Sequence, residues 1–392
     1  MVYLDHAATT DVLPEVIEIM SAQLAQVGNP SSLHGSGRAA RKAVEIAREK
    51  IASALNCLPG EVIFTAGGTE ADNLAIKGLY WLRNSQDSKR NKIVISAIEH
   101  HAVLDPAMWL ETMNDAEVVF VKVDSVGRID INHLREIVEE SANEIALISI
   151  MYANNEVGTI QPISEVIEIA KSHSIPVHTD AVQAVGALNI DFKTSGLDAL
   201  TLSGHKIGGP MGIGALILRR EFKPVPVLHG GGQEREVRSG TIPTHLIAAL
   251  GESVAIACGK INEHQSRLIE LRDKLISVVE ENVPDAVLNG DRNNRLPGNA
   301  HFSFPGCEGD ALLMLLDAAQ VECSTGSACT AGIPQPSHVL LNMGISEDVA
   351  IGSLRFSLGR TSSEKDIETL AKILPETVER ARRAGKTRQR LS

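Results

Sequence analysis

The sequence predicts an α/β protein in which a seven-stranded, mostly parallel sheet is sandwiched by helices and joined to a smaller α+β domain. Two observations carry this. Seven short runs rich in Val, Ile and Leu recur before about residue 220, separated mostly by amphipathic or turn-rich stretches. They read apolar on both faces, as strands of a sheet covered on both sides must. After about residue 243 the pattern changes to long helical stretches with isolated strands between them.

Taken in order, the chain opens with two helices. The first carries Val16, Met20, Leu24 and Val27 on one stripe. The second carries Ala40, Ala43, Val44, Ala47 and Ile51, at the three-and-four spacing of a core-facing surface. Strands are expected at Val62–Thr65, Ile93–Ser96, Val118–Val121, Ala146–Ile150, Pro176–Thr179, Ala199–Leu202 and Ile213–Leu218. A helical stretch then runs from Thr244 towards Glu281. It is followed by strand-like NAHFSF, a helix near Asp310–Ala319, strand-like SLRFSL and a last helix from about Glu364. Residues 13–255 are expected to form the large domain, and residues 1–12 with 256–392 the small one. The glycine-rich His229–Thr241 reads as a linker or as a site loop.

At 392 residues with 43% hydrophobic content the chain is an ordinary globular protein of two or three domains. Its net charge of −12 repels phosphate backbones and anionic lipid, which argues against nucleic-acid or membrane partners. Five cysteines without a C-x-x-C pair suit a reducing compartment, where a lone thiol can be reactive. No apolar run reaches 18 residues, and MVYLDHAATT has no secretory character, so a cytoplasmic protein is expected. The tail from Arg380 carries six Lys or Arg in thirteen residues. It reads as a solvated helix end or as a local contact with RNA or an acidic partner.

Six places can carry chemistry, each with a plainer alternative. Lys206 sits in a Gly-rich turn between two buried strands, in LTLSGHKIGGPMGIGALIL. It is either a surface-loop lysine or an amine that forms a Schiff base with an aldehyde cofactor, usually pyridoxal 5′-phosphate (PLP). Asp180, at the carboxyl end of a strand in PVHTDAVQAVG, is either a helix N-cap or the carboxylate that keeps a pyridine nitrogen protonated. In VIFTAGGTEADNLAIKG, Thr69 and Asp72 fit a capping box, while Gly67–Gly68 at a helix start equally suit a phosphate. His100, just after a strand, is structural or stacks on a flat ring and exchanges protons. Cys329 lies in a loop of small residues, and no Lys, Arg or His between Ser324 and Thr330 activates it. A pairing of Cys323 with Cys329 and a metal site at His100–His101 are weak readings, the latter for want of a third ligand. Arg355 in SLRFSLGR makes an intradomain salt bridge or forks onto a substrate carboxylate.

The ordered set, together with YLDHAATT, HTDAVQAVG, YANNEVGTIQPI, SGHKIGGPMGIGAL, RSGT and STGSACT, resembles the cysteine desulfurases of the NifS/IscS type. These belong to the class V aminotransferase group and adopt PLP-dependent transferase fold type I. The likeness covers nearly the whole chain. It implies that Lys206 carries PLP, Asp180 pairs with the ring nitrogen, Gln183 with the phenolic oxygen, and His100 stacks on the ring. Gly68, Thr69, Ser203 and His205 would hold the phosphate, with Thr241 from the neighbouring subunit of a homodimer. Asn155 and Arg355 would bind the carboxylate of L-cysteine, and Cys329 would take its sulfur as a persulfide, leaving L-alanine. Acceptors implied are an iron–sulfur scaffold or a tRNA-thiolation enzyme. No resident metal is expected, beyond Cys329 as a transient iron–sulfur ligand.

The cysteine loop has the length of the group whose persulfide swings out to scaffolds, not the shorter R-x-G-H-H-C form. AGIPQPS stands where the family more usually has SASLEPS, and about 30 residues follow RFSLGR in place of the longer scaffold-docking ending. Selenocysteine lyase, transaminase and non-catalytic scaffold are the rival readings. The thiol loop argues against a transaminase, and the full set of expected catalytic side chains argues against a scaffold.

Overall fold

In the computed structural model, which describes residues 1–325 and 336–389 with side chains to residue 383, twelve strands form among the described residues. They are β1 (Val2–Tyr3), β2 (Val62–Thr65), β3 (Lys92–Ser96), β4 (Glu117–Val121), β5 (Ile145–Ser149), β6 (Val177–Asp180), β7 (Ala199–Ser203), β8 (Gly214–Leu218), β9 (Val287–Asn289), β10 (Asn299–Ser303), β11 (Val321–Glu322) and β12 (Ser353–Ser357). The seven predicted runs are β2 to β8, and they form one sheet in the order β2-β8-β7-β6-β5-β3-β4. β8 is antiparallel to both neighbours; the other pairs are parallel. Helices cover both faces. Val94, Ile148, Val177, Leu200 and Ile217 pack with Val44, Ala47 and Ile51 of the helix Gly35–Leu55 and with Leu250 of the helix Thr244–Gly259. On the other face Ile63, Ile95, Leu147 and Leu216 meet the helices Gly68–Gln86 and His101–Asn114. β2 and β5 to β8 are buried throughout, which is why their sequences do not alternate, whereas the edge strand β4 is exposed at Glu117 and Phe120.

A second core unites the two ends of the chain. β12, β10 and β9 form an antiparallel sheet, and β1 pairs in parallel with β11. Val2 and Leu4 are buried with Leu275, Phe302, Phe304, Leu354, Phe356 and Leu370. Among the described residues no single helix is long and apolar enough to cross a membrane.

Three local expectations are corrected and one is refined. The first helix is Pro14–Leu24, and Leu24 and Val27 are exposed, so the apolar stripe does not continue past Met20. The long helical stretch is two helices, Thr244–Gly259 and Ile261–Asn282, bent by 67° at Lys260. The glycine-rich segment is no linker: the Glu234 carboxylate is buried and takes hydrogen bonds from Arg48 Nη1 (3.0 Å) and Nη2 (2.9 Å) and from the Phe64 amide. Within the basic tail, Arg382 is docked, donating to Asp285 (2.6 Å) and to the Pro305 carbonyl. The strands β1, β9 and β11, two or three residues each, are too short to give a periodic signal.

Candidate active site

The carboxyl ends of β2, β3, β6 and β7 converge on one cleft, where open α/β sheets bind ligands. Asp180 ends β6. It is buried, and its Oδ1 accepts the Val182 amide at 2.9 Å in a turn, so it caps no helix. Burial raises its pKa; the Val182 amide and the nearby His100 and Lys206 oppose that rise.

β7 ends at the buried Ser203 and passes into a 3-10 turn, Gly204–Lys206, that presents Lys206. The amine donates to the carbonyls of Ala7 (2.6 Å) and Ala8 (2.8 Å). Burial first, then Arg355, pulls its pKa down to about 8 against the opposing pull of Asp5 and Asp180. This is no free surface-loop lysine.

His100 N-caps the helix His101–Asn114, with Nδ1 accepting the Ala102 amide at 3.0 Å. That bond leaves Nε2 to carry the proton. The ring is exposed to the cleft, but the surrounding protein still depresses its pKa.

The helix after β2 starts at Gly68, with Gly67 as N-cap at φ 156° and ψ −179°. Side chains rarely adopt that backbone, so glycine is required there. No side chain caps this end among the described residues, so its first amides face outward. The capping box is therefore overturned: Thr69 lies inside the helix, exposed, and Asp72 is buried beneath it. Gly68 packs against Val182 and Ser203, where an added Cβ would come within 3.0 Å and 3.5 Å.

The N-terminal segment closes the cleft, and the sequence reading assigned it no role. The Ala7 carbonyl accepts from both Lys206 and Gln183 Nε2 (3.0 Å), and Thr9 Oγ1 lies 3.3 Å from His205 Nδ1. Arg355, buried on β12, donates to Asp5 (2.8 Å) and to the Asn155 carbonyl (2.9 Å). The salt-bridge reading of Arg355 is thus met, with a partner 350 residues away. Its Nε has no hydrogen-bond partner among the described residues. Thr241 lines a separate hollow of this chain with Thr65, Ala66 and Gly212. Cys329 lies outside the described residues. Cys323, the other candidate for pairing, is a buried free thiol whose pKa is raised by that burial to about 12.

An amine, a carboxylate, an imidazole and an uncapped helix start, gathered at one sheet edge, define a class of cofactor-dependent transferases. Residues 2–370 match the aminotransferase class-V family, and the chain belongs to that family, whose members depend on PLP. It is 53% identical over 386 residues to an IscS-like cysteine desulfurase of Mycobacterium tuberculosis, covering 98% of each chain. It resembles the solved structure of a NifS-like protein at a TM-score of 0.89 and 34% identity, over 96% of this chain and 99% of that one. A structure described as SspA in complex with cysteine matches at a TM-score of 0.77 and 35% identity, over 91% of this chain and 99% of that one. Within its family the chain falls among the cysteine desulfurases of the NifS/IscS type.

Proposed function

We propose that the chain binds PLP in this cleft and converts L-cysteine to L-alanine, passing the sulfur to Cys329 as a persulfide. One observation carries the reading: Lys206, Asp180 and His100 converge at the carboxyl ends of β7, β6 and β3 in a chain of this family. The donor set fits the cofactor. Asp180 offers a buried carboxylate to a ring nitrogen, and the amides after Gly67, beside Ser203, offer donors to a phosphate. When bound, PLP supplies a sink for the electrons released at the substrate α-carbon.

The chain's own residues do the rest. Asp180 holds the proton at the ring nitrogen, and Gln183 donates to the phenolic oxygen. His100 stacks on the ring and exchanges protons through Nε2. Gly68, Thr69, Ser203 and His205 hold the phosphate, joined by Thr241 of a second copy in a homodimer. Arg355 and Asn155 hold the substrate carboxylate, with the unpartnered Arg355 Nε as a further donor. Lys206, partly neutral near pH 7, takes the α-proton. The Cys329 thiolate then attacks the substrate sulfur. A carbon–sulfur bond breaks as a sulfur–sulfur bond forms, and the carbon keeps the electron pair and takes up a proton. L-cysteine and a thiol thus become L-alanine and a persulfide. The enzyme is cytoplasmic, divides into residues 13–255 against 1–12 with 256–392, and hands its sulfur to an iron–sulfur scaffold or a tRNA-thiolation enzyme.

The test is alanine formed from L-cysteine by PLP-loaded protein, with Cys329→Ala alongside. Alanine from the unmodified chain and none from the variant supports the reading. Equal alanine from both removes Cys329 from the reaction, and none from either removes cysteine as substrate.

A further inference from the structure

Beneath Asp180 the interface between sheet and helix is polar where an apolar core is expected. His178 and Asp180 lie two residues apart on β6 and so share one face of the sheet. On the neighbouring strands Ser149 pairs with His178, and Thr201 with Asp180. The helix Gly68–Gln86 covers this face and lowers Asp72 onto it. All five side chains are buried, His178, Ser149 and Thr201 completely, beside Leu147, Ala199 and Leu216. Polar groups in such a place are costly unless each is hydrogen-bonded.

The bonds form a chain. Ser149 Oγ lies 2.8 Å from His178 Nδ1, and His178 Nε2 lies 3.0 Å from Thr201 Oγ1. The Thr201 hydroxyl reaches the Asp72 carboxyl, whose Oδ1 is 3.6 Å from His178 Nε2. Asp72 Oδ1 has no hydrogen-bond partner among the described residues, and through the oxygen that meets Thr201 the chain can run in either of two directions. If Asp72 is a neutral acid, it donates to Thr201, Thr201 donates to His178 Nε2, and His178 Nδ1–H donates to Ser149. If Asp72 is ionised, every bond reverses and His178 carries its proton on Nε2.

We propose that Asp72 is held as the neutral acid and that Asp72, Thr201, His178 and Ser149 act as positioning residues, leaving Asp180 as the charged carboxylate under the ring nitrogen. Two buried carboxyls this close do not both ionise readily, and they titrate as a pair. The charge belongs on Asp180, which has the Val182 amide and faces His100 and Lys206. Among the described residues Asp72 faces Thr201, His178 and two further acids, Asp180 and Glu99. Burial and the Asp180 charge raise the Asp72 pKa, and burial takes His178 down to about 3, so the imidazole stays neutral. Glu99, raised to about 8 by burial, adds no full negative charge at neutral pH.

The inference rests on the reading above only in taking Asp180 as the partner of the ring nitrogen. It is tested first in the cofactor-free protein, by ¹⁵N NMR of labelled histidine, with His178→Gln identifying the signal. The expected result is a bare Nε2 and a protonated Nδ1 between about pH 6 and 9. A proton on Nε2 overturns the proposal. The second measurement is the pH titration of the bound cofactor's absorbance in Asp72→Asn, which has the shape of the acid and cannot ionise. A midpoint within about 0.3 unit of the unmodified protein supports a neutral Asp72, whereas a fall of about one unit means that a negative charge has been removed and overturns it. Failure to bind PLP at all refutes the functional reading and leaves the tautomer result standing.

Discussion

Lys206 is tuned by burial, and that tuning has a measurable effect on stability. Its pKa of about 8, against 10.5 for an ordinary lysine, leaves about a tenth of the amine neutral at pH 7, roughly 300 times the usual fraction. That neutral fraction is what proton abstraction and Schiff-base formation require. The folded state bears the consequence. Between about pH 8 and 10.5 the unfolded chain binds more protons than the folded one, so stability rises with pH through this window. Below pH 8 the full penalty applies. Lys206→Met keeps the length of the side chain and cannot titrate. It loses the bonds to the Ala7 and Ala8 carbonyls, which displaces the whole profile and leaves its slope alone. Subtracting the variant cancels the titrating groups that do not interact with Lys206. The unmodified protein should therefore gain about 2.5 kcal/mol on the variant between pH 7 and pH 10. Urea unfolding of both cofactor-free proteins across this range, at one protein concentration and followed by Trp81 and Trp109 fluorescence, measures it. Parallel profiles would show that Lys206 titrates normally and would refute the argument.

Other outcomes follow from the same geometry. Arg355→Ala should raise KM for L-cysteine by roughly 30-fold or more, the worth of a charge-assisted carboxylate contact; an unchanged KM in steady-state kinetics would leave Arg355 to its bridge with Asp5 alone. Asp180→Asn should lower turnover by roughly a hundredfold or more, read as alanine per minute, because the ring nitrogen loses its anionic partner. Glu234→Ala takes the bidentate partner from the buried Arg48 guanidinium, leaving it Glu45 and the Val62 carbonyl, and should destabilise the fold by about 3 kcal/mol in chemical denaturation. Gly67→Ala places a side chain at φ 156° and should cost about 1–3 kcal/mol in the same assay; a smaller loss would mean that the turn relaxes easily.

Most strands of the large sheet were legible because burial on both faces leaves an unmistakable local mark. Ile145–Ser149 and Gly214–Leu218 are apolar nearly throughout, and both are fully buried. The neighbourhoods of Lys206 and Asp180 were legible for a related reason: a charged residue at the end of an apolar strand has few ordinary uses. The two-residue strands were not legible, since two residues have no period. Asp72 was misread because a polar residue three places after a threonine at a helix start looks like a cap in one dimension. The helix in fact begins earlier, at Gly68, so Asp72 turns inward.

The sequence by itself determined the strands of the large sheet, their order along the chain and the chemical types that reach the sheet edge, because periodicity and strand ends are local properties. It did not determine which elements meet. That β8 enters the sheet between β2 and β7, that Asp5 finds Arg355, and that the Ala7 carbonyl holds both Lys206 and Gln183 are results of chain reversal over tens to hundreds of residues. The same holds for the file of Ser149, His178, Thr201 and Asp72, which comes from three strands and a helix. Hydrogen bonds and charges act through space over a few ångströms, so the pKa of Lys206 and the proton on Asp72 belong to the packed structure and to no single stretch of the chain.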